Sequence, residues 1–294
     1  MAFQFQSAEK VRAGVRRIAV ERLDKAIAVV EEARSADAPR EDIDLAVHAA
    51  RKRCKELRAL LRLVRPSFDG YQRENAAFRA AARLLADLRD ATTVLDAFDE
   101  LTRDDAESFA AVRAALATER AELASDAVER LEAFVERMAE ARKRARKWTL
   151  DARGFDVLGP GLEKAYARCQ SDMHEAQARP TTERLHDWRK RVKYNRSHLR
   201  LLRGLFRPVI EPVREQAKLL SDLLGDHHDL RVLADAIDAA GPAIDDAHRA
   251  ELHERIAARC RTLEAEAFDL GHRLYAQRPA HVRAHAEALW RLRK

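Results

Sequence analysis

The sequence predicts an all-α protein. Its 294 residues include only 9 glycines and 8 prolines, while alanine, leucine, arginine and glutamate, which all favour helices, are abundant. Apolar residues recur every three or four positions along most of the chain, as they do in amphipathic helices. Hydrophobic residues make up 47% of the chain and charged residues 35%, so we expect a packed core beneath solvated helix faces.

Prolines and glycines separate the periodic segments and so mark the ends of the predicted helices. Eight helices follow from this punctuation: residues 7–34, 42–65, 71–101, 104–148, 161–178, 181–206, 209–239 and 244 to the C-terminus, the last with a break at Pro279. Thr181 is a suitable N-cap for the sixth of them. Glycine and proline are again frequent between residues 149 and 160, which predicts a linker there.

An internal repeat relates the two ends of the chain. Residues 48–65 align with residues 186–203 at an offset of 138, with ten identities in eighteen positions. The segments that follow, RLLADLRD and KLLSDLLGD, also correspond. Duplicated units of this kind bury their apolar faces against each other. The sequence therefore predicts a single domain made of two helical bundle halves, 1–148 and 161–294, related by a pseudo-twofold axis.

Positive charge is concentrated in the repeat. Each copy holds seven Lys or Arg residues and one acidic residue, so the two copies together carry +12 in a chain whose net charge is +6. On a helix, the apolar residues of each copy fall on one seam and the cations on a stripe beside it, about 25 Å long. The seams are Val47, Ala50, Cys54, Leu57, Leu61 and Val64, and Leu185, Trp188, Val192, Asn195, Leu199 and Leu202. The basic stripes are His48, Arg51, Lys52, Lys55, Arg58 and Arg62, and His186, Arg189, Lys190, Lys193, Arg196 and Arg200.

Each stripe repels itself, because almost no acidic residue stands one helical turn away to neutralise it. Because the same self-repelling pattern occurs in both copies, it indicates a polyanionic ligand that relieves the repulsion. Arginine offers such a ligand a planar fork and lysine a mobile point charge. The alternative is a solvated basic face whose arginine stems cover the edge of the core. A helical histidine is more often packed than ligating, but His48 and His186 head the two stripes and can gain a proton beside a phosphate. We expect them to bind or orient the ligand and assign them no catalytic role.

The doubled pattern H-x-x-R-K-x-x-K-x-x-R resembles the CHAD family, named for conserved histidines in an α-helical domain. The resemblance also rests on LLSDLLGDHHDLRVL at 219–233 and GHRLYAQRP at 271–279, and it covers nearly the entire chain. It implies two four-helix-bundle halves that enclose a basic groove or channel. It further implies binding of inorganic polyphosphate and association with polyphosphate granules.

The resemblance assigns site residues by motif position. It implies an anion site lined by His48, Arg51, Lys55, Arg58, Arg62, His186, Arg189, Lys193, Arg196 and Arg200. Further candidates on neighbouring helices are Arg12, Arg16, Arg79, Arg83, Arg214 and Lys218. The first copy lacks the HHDL of the second, so we expect no duplicate of any role that Asp229 has.

The segment DHHDL at 226–230 brings two histidines and two aspartates together, as a metal site would. Neighbouring residues on a helix point about 100° apart, so at most two could reach one ion, and we expect no metal and no cofactor. We expect Gly225 to break the helix, with an aspartate capping the next segment or pairing with an arginine of the groove. No Walker, G-x-S-x-G or E-x-E-x-K motif occurs, and the sequence predicts no enzyme.

The sequence also predicts where the protein is located and what it binds. The chain begins without a signal-peptide pattern and has no apolar run of about 18 residues, which predicts a cytoplasmic protein without a membrane partner. Cys54, Cys169 and Cys260 are far apart and fit the core. We expect a non-enzymatic polyphosphate-binding protein that acts at granules. A nucleic-acid or general polyanion scaffold is the alternative, although aromatic residues for base stacking make up only 6% of the chain; a polyphosphate-processing enzyme is the third possibility.

Overall fold

The computed structural model describes residues 3–6, 9–33, 40–85, 87–118 and 127–293. These residues form eleven α-helices and no β-strand, which confirms the all-α prediction. The helices are α1 (Val11–Ala33), α2 (Arg40–Val64), α3 (Tyr71–Leu84), α4 (Asp87–Leu101), α5 (Ala110–Thr118), α6 (Ala127–Ala145), α7 (Gly159–Ala178), α8 (Thr182–Leu202), α9 (Arg207–Ala239), α10 (Asp246–Leu274) and α11 (Pro279–Leu292). Among the helices described, none combines the length and apolar composition that crossing a membrane requires.

One predicted helix is divided, and another begins later than predicted. The predicted helix 71–101 consists of α3, which ends at Leu84, and α4, which begins at Asp87. Within the predicted helix 104–148, α5 begins only at Ala110 and α6 covers Ala127–Ala145, while residues 119–126 lie outside the described chain. No proline or glycine separates α3 from α4, so the sequence pattern held no signal for that division. The predicted cap of α8 is confirmed, because the side-chain oxygen of Thr181 accepts a hydrogen bond from the Arg184 amide at 3.3 Å.

Buried apolar side chains form three clusters in the described chain. The first joins α1, α2, α3 and α6 and includes residues of the connection before α7, such as Leu150 and Phe155. The second joins α4 and α5 to α9 and α10. The third joins α7, α8, α9 and α10. Because the second cluster draws on helices from both ends of the chain, the boundary between two halves stays a prediction.

The apolar seams of the repeat are where the periodicity places them. All six seam residues of α2 are fully buried, and on α8 the predicted seam is buried except at Leu199, which is half-buried. The three cysteines are buried as well. Burial raises the pKa of the Cys54 thiol to about 12, so it is an unreactive core residue at neutral pH.

Two close contacts place α8 and α7 against α2. His198 of α8 is fully buried, and its Nε2 donates to the Ala59 carbonyl oxygen of α2 at 2.9 Å. At the start of α7, a Cβ on Gly161 would lie 1.8 Å from the Leu63 carbonyl oxygen, so only glycine permits this approach. The His198 contact joins the two helices that carry the basic stripes, and the Gly161 contact packs α7 beside them.

Candidate anion-binding site

All twelve residues of the two basic stripes lie on α2 and α8. On α2, their guanidinium groups are held by the neighbouring helix α3. Arg51 Nη1 donates to the Leu85 carbonyl oxygen at 2.9 Å, and Arg58 Nε and Arg62 Nη1 both donate to Asn75 Oδ1, at 3.1 and 2.9 Å. His48, Lys52 and Lys55 are exposed. The first stripe therefore has oriented arginines flanked by solvated lysines.

On α8 the second stripe faces acidic residues of α9. Arg189 Nη2 lies 4.0 Å from Asp229 Oδ1, which confirms the expected pairing of an aspartate with a stripe arginine. Arg196 interacts electrostatically with Asp222, and burial lowers the pKa of its guanidinium. The expectation that Gly225 breaks the helix is wrong, because α9 runs continuously from Arg207 to Ala239. A Cβ at position 225 would stand 3.4 Å from Arg189 Nη2, which is ordinary van der Waals contact, so Gly225 packs beside this guanidinium.

The two stripes meet through reciprocal contacts near the C-terminal ends of α2 and α8. The Arg62 guanidinium stacks over the Tyr194 ring, 4.0 Å from its centroid, and Arg200 Nη1 donates to Glu56 Oε1 at 2.8 Å. At the offset of 138, Arg200 is the counterpart of Arg62 and Tyr194 is the counterpart of Glu56. Each copy thus extends its last stripe arginine to the same position of the other copy. A twofold relation between the copies would produce this pattern.

Glu56 is the centre of a buried ionic cluster that the sequence did not reveal. Its side chain is only 7% exposed, and Oε2 accepts from Arg53 Nη1 at 3.0 Å and Arg22 Nη1 at 3.5 Å. Arg22 of α1 is 2% exposed, and burial lowers the pKa of its guanidinium against the attraction of Glu56. Two signals could have indicated the cluster: Glu56 is the single acid of the first repeat copy, residues 48–65, and Arg22 lies among the apolar positions of α1.

Lys193 has cations of both stripes around it. Arg189 and Arg196 are its neighbours on α8, Lys55 faces it from α2 and Asp229 from α9. Burial, then Arg189 and Lys55, lower the pKa of the Lys193 amine to about 7, although Asp229 opposes the shift. Lys55 and Lys193, one from each stripe, are therefore near enough to repel each other.

The two predicted site histidines have different environments. His48 is exposed on α2, whereas the His186 ring packs against His228 of α9 with 4.4 Å between centroids. Burial lowers the pKa of His186 to about 4 and also lowers the pKa of His228. The Nδ1 atoms of both rings are buried without a hydrogen-bond partner in the described chain. His227 points elsewhere, with Nε2 2.9 Å from Glu264 Oε1.

The described residues contain no group of three or more His, Cys, Asp or Glu side chains that could hold a metal ion. In the DHHDL segment, His227 and His228 contact different partners on different elements, Glu264 of α10 and His186 of α8. The helix rotation of about 100° per residue separates the two rings. The cluster seen in the sequence is therefore not a cluster of ligands in space.

Comparison with known proteins identifies the family. The family model described as the CHAD domain matches residues 16–238. The chain belongs to the CHAD family. Among solved structures, PptA from Streptomyces chartreusis is similar with a TM-score of 0.62, over 90% of this chain and 98% of that one, at 17% sequence identity. The TM-score establishes a shared fold. A comparison with curated protein sequences finds no match.

The six further candidate site residues of this CHAD chain have different hydrogen-bond and ion-pair partners. Arg12 Nη2 donates to the Leu150 carbonyl oxygen at 3.0 Å and Arg16 Nε to that of Trp148 at 2.6 Å. Both arginines thus secure the connection that follows α6. On α9, Arg214 pairs with Glu211 and Glu215, and Lys218 Nζ donates to Asp222 at 2.7 Å; Arg79 and Arg83 are exposed on α3.

A basic pocket lies beyond Arg62, where α2, α7 and α8 meet in the CHAD fold. It encloses roughly 400 Å³ of empty space, part of it open to solvent. Its charged and aromatic lining consists of Arg62, Arg65, Lys164, Arg168, Arg191 and Tyr194. The repeat did not point to Lys164 and Arg168, because they lie on α7, outside the duplicated helix. They extend the positive surface past the end of the first stripe.

Proposed function

We propose that this CHAD protein binds inorganic polyphosphate, with the stripes of α2 and α8 on two sides of one phosphate chain. The observation that carries the proposal is that like charges from both helices surround Lys193. Burial and these neighbouring cations lower the pKa of its amine. Such a concentration of positive charge is relieved by a polyanion. Membership of the CHAD family supports the same ligand. The protein acts in the cytoplasm and associates with polyphosphate granules in this proposal.

The aromatic residues favour polyphosphate over nucleic acid. Single-stranded nucleic acids are held by aromatic rings on which their bases stack. On the stripe helices, Trp188 is fully buried and the Tyr194 ring is covered by the Arg62 guanidinium. Trp188 therefore cannot stack on a base, and the Tyr194 face beneath Arg62 is already occupied. A ligand that consists of phosphate alone uses the cations and needs no such face.

Binding without turnover is part of the proposal. The His186 and His228 rings contact each other, and neither donates a hydrogen bond to a carboxylate in the described chain. A general base is usually oriented by such a partner. Incubation of the protein with long-chain polyphosphate should leave the chain length unchanged on a gel, and time-dependent shortening would establish the enzyme alternative.

Competition binding tests the choice of ligand. Long-chain polyphosphate and single-stranded RNA of equal phosphate number compete for the protein at physiological salt. We expect a strong preference for polyphosphate that is lost in the double variant Arg51→Gln/Arg189→Gln. The matched control Arg273→Gln/Arg291→Gln removes the same charge from arginines that are 75% and 74% exposed on α10 and α11, and should bind as the wild type does. Equal or tighter RNA binding, or equal losses in both variants, would overturn the proposal.

A further inference from the structure

Lys193 combines partial burial with a surrounding of cations. Arg189 and Arg196 stand one helical turn away on either side, Lys55 faces it from α2, and His228 and Asp229 face it from α9. Asp229 is the single acid in this set. Within the described chain, the Lys193 side chain takes part in no hydrogen bond or ion pair, and its backbone carbonyl accepts from Ser197 Oγ at 2.8 Å. The side chain is half-buried, so solutes can still reach it.

This environment favours the neutral amine. Removal from water and neighbouring positive charge both disfavour an ammonium ion, and the pKa of Lys193 is lowered to about 7. A neutral lysine amine is a nucleophile, as in enzymes that form Schiff bases next to a second cation. The same cations attract phosphate. The electrophile that suits both properties is one that carries its own phosphate group.

We propose that Lys193 is a modification site for acyl phosphates, the mixed anhydrides of a carboxylic acid and phosphoric acid. Arg189 and Arg196 bind the phosphoryl end, which brings the acyl carbon to Lys193 Nζ. The nitrogen lone pair attacks the carbonyl carbon and forms an amide bond, while the bond from that carbon to the phosphate oxygen breaks. Inorganic phosphate leaves with the bonding electron pair and takes up the proton that the amine loses. The step needs no oxidant, reductant or further reactant.

The bound phosphate offsets part of the arginine charge, but the amine stays activated. Burial is the largest cause of its altered basicity, and Lys55 still faces it. Acylation then removes a positive charge from the place where both stripes converge. The consequence, weaker polyphosphate binding, rests on the proposed function; the reactivity of the amine does not.

Labelling with acetyl phosphate tests the reactivity on the full chain without polyphosphate. Peptide mass spectrometry gives the initial acetylation rates of Lys193 and of two exposed lysines of the same stripes, Lys190 and Lys52. An ordinary lysine, with a pKa of about 10.4, is neutral in roughly four molecules per ten thousand at pH 7. About half of the Lys193 side chains are neutral there, so even with hindered access we expect a rate at least about tenfold higher. Its rate should level off above about pH 8, whereas that of Lys52 keeps rising beyond pH 9.

The outcomes separate the inference from the proposed function. Millimolar inorganic phosphate should slow the labelling of Lys193 and leave Lys52 unaffected, as a docked phosphoryl group requires. A Lys193 rate no higher than that of Lys190 and Lys52 overturns the inference and leaves polyphosphate binding untouched. In a separate binding assay, Lys193→Gln should weaken polyphosphate binding severalfold while Lys193→Arg retains it. Equal binding by both variants would contradict the regulatory consequence alone.

Discussion

Replacing Glu56 with glutamine should lower the stability of the protein and strengthen its binding of polyphosphate. Glu56 is the buried acid that holds Arg22, Arg53 and Arg200. Glutamine keeps the shape of the side chain and part of its hydrogen bonding but removes the negative charge. The fold loses the partner of a buried cation, while the anion site gains net positive charge. A purely structural defect would lower both quantities.

The size of both effects follows from the geometry. Removing one partner of a buried ion pair costs about 3–5 kcal/mol. Here Arg22 retains Glu21 at 3.7 Å, and Arg53 and Arg200 are partly solvated, so we expect a loss of about 2–3 kcal/mol. For a protein of this size that lowers Tm by roughly 3–5 °C. Several phosphates within about 10 Å of the lost charge should together tighten binding by about fivefold at moderate salt.

Thermal melting followed by circular dichroism measures the first effect, and titration with polyphosphate well below Tm measures the second. The matched control is Glu140→Gln, which removes an acid from the exposed pair with Lys143 and should change neither Tm nor affinity. An unchanged Tm in Glu56→Gln would mean that the buried cluster does not stabilise the fold. Weaker polyphosphate binding by that folded variant would mean that Glu56 does not oppose the anion.

Three further predictions concern the site and the helix contacts. Polyphosphate affinity should fall steeply with salt, and by analogy with nucleic acids Arg51→Gln/Arg189→Gln should reduce the slope of log K against log salt by about 1.5; an unchanged slope would exclude both arginines from the phosphates. Gly161→Ala should cost about 3 kcal/mol or more in urea unfolding, because its Cβ would meet the Leu63 carbonyl, whereas Gly154→Ala, with φ of 57° but open space, should cost about 1 kcal/mol. Burial lowers the pKa of His198 to about 4. Since the unfolded state binds this proton more readily, the free energy of unfolding should fall by on the order of 3 kcal/mol as the pH drops from about 6.5 to 4. In His198→Leu, this dependence of stability on pH should flatten.

Local pattern was enough to predict the helices of the repeat and the position of their charges. Every stripe residue lies on α2 or α8, and the apolar seam from Val47 to Val64 is buried. The seam could be predicted because the rotation per residue of a helix is constant, so the sequence spacing fixes which residues share a face. The internal repeat with its offset of 138 residues could be recognised from the sequence alone. The division between α3 and α4 could not, because helix formers flank it on both sides.

Only the tertiary structure decided which partner each charge has. The pairing of Arg200 with Glu56, the cover of Arg62 on Tyr194 and the burial of Lys193 join residues of different helices, and some of these are more than a hundred positions apart. The periodicity within one helix does not determine the angle at which that helix crosses another, so these pairs could not be predicted from the sequence. The sequence by itself determined that two helices carry matched rows of cations. Helix packing decided which of those cations are neutralised and which have their affinity for a proton lowered.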